Sequence, residues 1–164
     1  MMFNAEQPVE VTIDKTDRKI LRLLQDDGRM SNVELARRVG LSQTACLERV
    51  RKLEREQVIE SYLAKINPAK LGANLMVFVE ITLTRTSADA FAEFSEAARK
   101  TDEILECHLV AGDFDFLIKA RVPDMRAYRK LLGETLLMMP GVDESRTYVV
   151  MEEVKQENKV LVKG

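Results

Sequence analysis

Ser31-Asn32-Val33-Glu34-Leu35-Ala36-Arg37-Arg38-Val39-Gly40-Leu41-Ser42 carries the start of one helix, its end and the start of the next. Ser31 and Glu34 have the spacing of a capping box, in which each side chain satisfies an orphan amide at a helix start. Leu35, Ala36 and Val39 then supply an apolar stripe, Gly40 permits the left-handed backbone that ends the helix, and Leu41 plugs the turn. Ser42 is a second N-cap, so a third helix is expected to run to about Glu56. Upstream, Asp17, Ile20, Leu21 and Leu24 fall at helical spacing between Asp14 and Gln25, and Asp26-Asp27-Gly28 stops that first helix. Three helices, the last two joined by a tight turn, make a helix-turn-helix, although a bare three-helix bundle shares the same order. Helical geometry separates the two readings. At 100° per residue, Cys46, Val50 and Leu53 gather on one side of the third helix, and Thr44, Glu48, Arg51 and Arg55 on the other. The outward side is polar and basic.

Charge is distributed to match. The whole chain of 164 residues has a net charge of -2, which excludes a protein that coats nucleic acid by bulk charge. From Arg29 to Arg55, however, seven basic residues stand against three acidic ones, whereas from Pro68 onward 16 acidic residues exceed 13 basic ones. A basic module is joined to an acidic one. No apolar run is long enough to span a bilayer, and residues 1–10 lack the pattern of a secretory signal. Cys46 and Cys107 form no CxxC pair, and His108 is the single histidine, so a metal site is not expected.

Beyond the helical module, Val58 to Ile66 alternates weakly and reads as a connecting strand or hinge, closed by Asn67-Pro68. Val77, Val79, Ile81 and Leu83 alternate as one face of a strand. Ala90, Phe91, Phe94, Ala97 and Ala98 form a helical stripe. Ile104 to Val110 reads as a second strand, Gly112-Asp113 as a tight turn, and Phe114 to Val122 as a third strand ended by Pro123. Asp124 caps a helix carrying Met125, Tyr128, Leu131, Leu132, Thr135 and Leu136, which Pro140-Gly141 terminates. Arg146 to Glu153 is the expected last strand. The order βαββαβ is ferredoxin-like: four antiparallel strands with two helices on one face. The fold class is therefore α+β, with an N-terminal, winged-helix-like helix-turn-helix domain and a C-terminal ferredoxin-like domain. Expected boundaries are an arm over 1–13, the helix-turn-helix over 14–58, a hinge strand and linker over 59–74, and the second domain over 75–164. The second sheet face mixes Phe78 and Leu117 with Glu80, Thr82, Lys119 and Arg121, which suits association with a second copy.

This ordered combination resembles the leucine-responsive regulatory protein family (Lrp/AsnC). Its carriers are the run from Asp14 to Leu21, the Ser31–Ser42 stretch, Cys46-Leu47-Glu48-Arg49-Val50-Arg51-Lys52-Leu53-Glu54, Glu106 to Asp115, Arg121-Val122-Pro123-Asp124-Met125 and Pro140-Gly141-Val142. Each motif is weakly specific, and their joint order is strongly so. The resemblance departs at the start of the third helix, where proline would stand in place of Gln43 and Ala45. It implies a cytoplasmic, nucleoid-associated transcription regulator, an activator or a repressor. It further implies a homodimer assembled into larger rings, with an octamer expected, that binds double-stranded DNA and responds to a free amino acid. Leucine comes first and another aliphatic or short amino acid second.

The second helix of such a motif lies in the major groove. Gln43, Thr44 and Glu48 are candidates for base readout through adenine, the thymine methyl and cytosine respectively. Arg49, Arg51 and Lys52 are candidates for phosphate or guanine, Arg37 and Arg38 for flanking phosphates, and Asn32 and Ser42 complete the set. Intrahelical ion pairs are the bland alternative for each charge. For the effector, Gly112 lets backbone amides approach a carboxylate, and Asp113 and Asp115 attract an ammonium group. A plain turn with locally bonded aspartates remains open. The resemblance adds Leu109, Met125, Tyr148, Val149 and Val150 around a pocket between dimers. An enzyme is not expected, because the chain has no phosphate-cradling GxxxxGK and no nucleophile with a histidine base. A sensor or assembly module without its own operator is the alternative function.

Overall fold

The structure, a computed structural model, describes residues 11–163 and divides into two compact units. The described residues up to Lys65, together with the tail from Gln156, form one unit, and Ile66–Lys155 form the other. Residues 1–10 of the expected arm lie outside the described residues.

The first unit holds α1 (Lys15–Asp26), α2 (Asn32–Val39) and α3 (Gln43–Arg55). Ile20, Leu35, Ala36, Cys46 and Leu53 are buried at its centre, and Leu21, Leu24, Val39, Leu41 and Val50 pack around them. Both serine caps form: Ser31 accepts from the Glu34 N–H and Ser42 from the Ala45 N–H. Gly40 has φ 78°, and the N–H groups of Gly40 and Leu41 both donate to the Ala36 carbonyl, so α2 closes within one residue of its last turn. The expected capping box at Ser31 is only half made. Its reciprocal partner Glu34 is taken by Arg37 (2.8 Å) and Arg38 (2.6 Å), whose hydrogen bonds hold the carboxyl down at about 2. The complete box stands at α1 instead, where Asp14 and Asp17 exchange backbone N–H bonds with each other's carboxylates.

After α3 the chain does not form the expected hinge strand over 58–66. Val58 and Ile59 fold back onto the helical core, and Tyr62 donates to Glu54 at 2.9 Å, burial and that bond raising its hydroxyl to about 12. A strand needs a neighbour, and no strand is present in this unit among the described residues. The tail also departs from the expected 75–164 domain. The Gln25 side chain donates to the Val160 carbonyl (3.1 Å) and accepts from the Val160 N–H (2.7 Å), Lys159 pairs with Asp26 (2.8 Å), and Arg18 donates to the Lys163 carbonyl (2.7 Å).

The second unit runs β1 (Leu75–Leu83), α4 (Ala88–Arg99), β2 (Ile104–Leu109), β3 (Phe116–Val122), α5 (Met125–Glu134) and β4 (Val142–Val149). All pairings are antiparallel in the order β2-β3-β1-β4, which is the ferredoxin-like sheet. Val77, Val79, Ile81 and Leu83 of the central β1 point into the core with Phe116, Ile118 and Ala120, against Phe94 and Ala98 of α4 and Tyr128 and Leu131 of α5. Phe116 is stacked by Phe94 at 4.4 Å and met edge-on by Phe91 at 5.9 Å. On the opposite face Arg121 forks onto both oxygens of Glu153 (2.8 and 2.9 Å).

Three boundaries differ from the sequence expectation. The helix expected to carry Thr135 and Leu136 up to Pro140-Gly141 closes at Glu134, with Thr135 as its C-cap and Leu136–Met138 in a separate 3-10 turn. The last strand is Val142–Val149 rather than 146–153, because Gly141 (φ 74°) turns the chain directly into it and its partner β1 runs out at Leu75. One further bond, Val150 N–H to the Met76 carbonyl, ends the ladder. The expected tight turn at Gly112-Asp113 is a six-residue loop, and Phe114 is left outside the strand. Asp115 organises it: its N–H donates to the Ile81 carbonyl (3.0 Å) and its carboxylate accepts from the Leu83 N–H (2.8 Å).

Two outcomes follow for stability. Asp115→Ala leaves a part-buried amide of β1 unmatched and costs about 1–3 kcal/mol, read as a lower urea midpoint, whereas Asp113→Ala changes it by no more than about 0.5 kcal/mol. For Glu34, the folded carboxyl titrates at about 2, below its ordinary 4.5, so its contribution is present above pH 4.5 and lost as pH falls through about 2. Thermal melts across that window should therefore fall less steeply for Glu34→Gln than for the native chain.

Candidate nucleic-acid interface and effector site

On α3 the structure separates two faces. Cys46 and Leu53 are buried, and burial pushes the Cys46 thiol up, while Gln43, Thr44, Glu48, Arg51 and Arg55 are exposed. The exposed set begins at the first turn of α3, whose N-cap hydroxyl on Ser42 is occupied by the Ala45 amide at 3.2 Å. Ser42 is thereby a cap, with its backbone at the edge of the exposed face. Lys52 lies 4.0 Å from Glu56, an exposed pair of small energetic weight.

The flanking residues are more tightly engaged. Asn32 donates from Nδ2 to the Gln43 carbonyl at 2.9 Å, joining the first residue of α2 to the first of α3, and its Oδ1 is buried with no hydrogen-bond partner among the described residues. Arg37 and Arg38 both reach Glu34, yet their side chains stay 71% and 47% exposed, so nitrogens of both guanidinium groups still face solvent. Arg49, expected either to contact phosphate or guanine or to pair within its own helix, is engaged on another helix. Its Nη1 donates to Asp14 and to Asp17, each at 2.7 Å, which turns the group toward α1. Sequence reading missed Asp14 and Asp17 as parts of this site; the D-x-x-D spacing at a helix start was the available signal.

The effector candidates do not converge within one protomer. Leu109, Gly112, Asp113 and Asp115 lie where β2 ends and β3 begins, beside the Ile81 end of β1. Tyr148 and Val149 pair with Phe78 and Val77 toward the other end of β1, with Val150 after them, and Met125 follows the Val122 end of β3. Leu109 and Tyr148 are moreover on the two edge strands, three strand spacings or about 14 Å apart. Leu109, Tyr148 and Val149 of the edge strands and Met125 at the start of α5 are 42%, 45%, 44% and 48% exposed. Asp113 is exposed, but Asp115 is spent on the β1 backbone, a bond across 32 positions rather than the local one weighed as the alternative. A Cβ on Gly112 would meet nothing within 4 Å, so its own protomer does not demand glycine there. Among the described residues no three metal-ligating side chains come together, and no helix is long and apolar enough to cross a membrane.

Comparison with known proteins identifies both units. Residues 13–54 match the AsnC-type helix-turn-helix domain and residues 76–160 the Lrp/AsnC ligand binding domain. The chain is 64% identical over 151 residues to the leucine-responsive regulatory proteins of Klebsiella pneumoniae and Escherichia coli K12, covering 92% of this chain and 92% of each relative. A transcriptional regulator of Neisseria meningitidis in complex with L-methionine superposes with a TM-score of 0.87 at 36% identity, over 92% of this chain and 97% of that one. A feast or famine regulatory protein of M. tuberculosis, also complexed with L-methionine, gives 0.80 at 32% identity, over 91% and 99%. Two domains matched in the right order, and relatives aligned nearly end to end, make this chain a member of the Lrp/AsnC family of transcription regulators.

Proposed function

We propose that the chain regulates transcription by placing α3 in the major groove of duplex DNA and by binding a free amino acid, leucine first, through the sheet unit. The observation that carries the DNA half is the face of α3, where Gln43, Thr44, Glu48 and Arg51 are all exposed while the apolar side of the same helix closes the core. Gln43, Thr44 and Glu48 supply base contacts, Arg51 and Lys52 reach phosphate or guanine, and Arg37 and Arg38 hold flanking phosphates with Glu34 fixing their direction. Asn32 and Ser42 serve the same surface by setting where α3 begins.

Support for the effector comes from the relatives, named leucine-responsive or crystallised with methionine, both amino acids with unbranched or branched apolar side chains. The divided candidate set favours a pocket completed by a second protomer, with Gly112 and Asp113 from one end of a sheet and Met125, Tyr148, Val149 and Val150 from the other. A ligand held there stabilises whichever assembly forms its pocket, so the effector acts on the balance between dimers and rings, an octamer first. DNA affinity then changes by avidity, because linked modules raise the effective concentration at neighbouring half-sites. This work belongs in the cytoplasm at the nucleoid. It involves binding and no catalytic step: Cys107 faces inward with its thiol pushed up by burial, while His108 faces the other side of β2.

Sedimentation and DNA binding with and without leucine and methionine test the proposal together. A shift in assembly size and operator affinity with either amino acid supports it; no change with either removes the sensor half. On the DNA side, Arg51→Gln should weaken binding and lower the slope of log affinity against log salt by about 0.9, the loss of one phosphate contact. Native protein that ignores duplex DNA at low salt leaves only an assembly or sensor module.

A further inference from the structure

Among the described residues, Asp17 is the one charged residue buried as a whole, at 3% exposure. Each carboxylate in its cluster is fully used. Asp14 Oδ1 accepts from the Asp17 N–H at 2.8 Å and Asp17 Oδ2 from the Asp14 N–H at 3.2 Å, which fastens the start of α1. The other two oxygens, Asp14 Oδ2 and Asp17 Oδ1, both accept from Arg49 Nη1 on α3 at 2.7 Å. A buried carboxylate without its cation is strongly disfavoured, so Asp17 draws Arg49 in, and the equal bond to Asp14 fixes its direction; an amide nitrogen in place of Asp14 Oδ2 would set donor against donor.

Arg49 is the neighbour of Glu48 along α3, and its bonds tie that turn of the helix to the start of α1. The Asn32 bond to the Gln43 carbonyl fixes where α3 begins, but beyond that first residue the packing of Cys46 and Leu53 is apolar and non-directional, and it leaves the helix some freedom to roll about its own axis. Side chains ending about 5 Å from that axis move about 2 Å for a roll of about 20°. The whole span of useful hydrogen-bond lengths is about 0.5 Å. A directional, charge-assisted bond from α3 to the first turn of α1 removes that freedom.

We propose that Arg49 is a positioning residue for operator recognition, clamping the roll of α3 against the start of α1 through Asp14 and Asp17, and is not one of the cations that hold phosphate. This rests on the reading above that α3 enters the major groove. It makes an acidic pair on a different helix, which cannot itself bind DNA phosphate, a determinant of sequence specificity.

The discriminating variants are Arg49→Gln, Asp14→Asn and their combination, with Arg49→Lys as the conservative control. The probes are a duplex selected by the native chain and a duplex of scrambled sequence, each titrated at several salt concentrations. Asp14→Asn keeps an N-capping oxygen but replaces the carboxylate facing Arg49. The clamp predicts that Arg49→Gln and Asp14→Asn each lower the selected-to-scrambled affinity ratio by about tenfold, the size of one misplaced base contact. The salt slope stays native, the double variant is no worse than the weaker single one, and Arg49→Lys recovers part of the ratio. A fall of about 0.9 in the slope for Arg49→Gln, with Asp14→Asn native, would overturn the clamp and make Arg49 a phosphate contact. A native ratio in both variants overturns it as well. Should Arg49→Gln fail to fold because Asp17 loses its partner, Asp14→Asn decides alone. Native protein that binds neither duplex defeats the proposed function before any variant is made, and the clamp with it.

Discussion

The left-handed backbone at Gly40 is the constraint on which the DNA-facing surface depends. With φ at 78° the chain leaves α2 abruptly, the Ala36 carbonyl accepts two amides, and Leu41 is driven into the core. Ser42 must then start α3 at once, and the Asn32 side chain, bonded to the Gln43 carbonyl, ties the two helix starts together. A residue with a Cβ meets no neighbour at Gly40; the penalty for replacing it is one of backbone conformation, about 1 kcal/mol or more. The angle between α2 and α3 thus comes from torsion and capping, and the apolar core only has to fill the space those bonds define.

The readable parts of this molecule are those with local causes. Caps, stripes and the Gly40 turn act over three or four positions, so α1, α2 and α3 were legible almost to the residue; alternation made β1 legible in the same way and β3 except for its start, which falls at Phe116 rather than Phe114. The misread parts have distant causes. The strand expected to end at Glu153 stops at Val149 because β1, some seventy positions earlier, ends its ladder there. The six-residue loop in place of a tight turn follows from Asp115 bonding to Leu83, and the tail joins the helices through Gln25, 135 positions away. The site divides likewise. Which side of α3 faces outward follows from 100° periodicity, whereas the engagement of Arg49 needed two aspartates on another helix. The effector candidates, with Gly112, Asp113 and Asp115 read from the turn and the others from resemblance, are split between the ends of one sheet, a separation that strand register sets and local sequence does not display.

Local pairing also changes what the basic module presents. Its excess of positive charge reads as a broad cationic face, but Arg37 and Arg38 share Glu34, Lys52 lies beside Glu56 and Arg49 is turned toward two aspartates. Arg29, Arg51 and Arg55 are exposed and carry no such ion pair among the described residues. Such a surface binds duplexes less by bulk attraction and depends more on the placement of a few side chains. That is the regime in which an architectural ion pair can govern selectivity.

The tail raises a matter of timing during synthesis. Residues 66–155 are contiguous, so the sheet unit has every contact it needs before Gln156 is made. The helical unit does not: Gln25 and Asp26 wait for Val160 and Lys159, 135 and 133 positions later in the chain. The helices nucleate early from their own caps, but these hydrogen bonds form after the intervening sheet is complete. Helices made before the sheet are closed after it, and a nascent chain completes its ligand-binding unit before its DNA-binding unit.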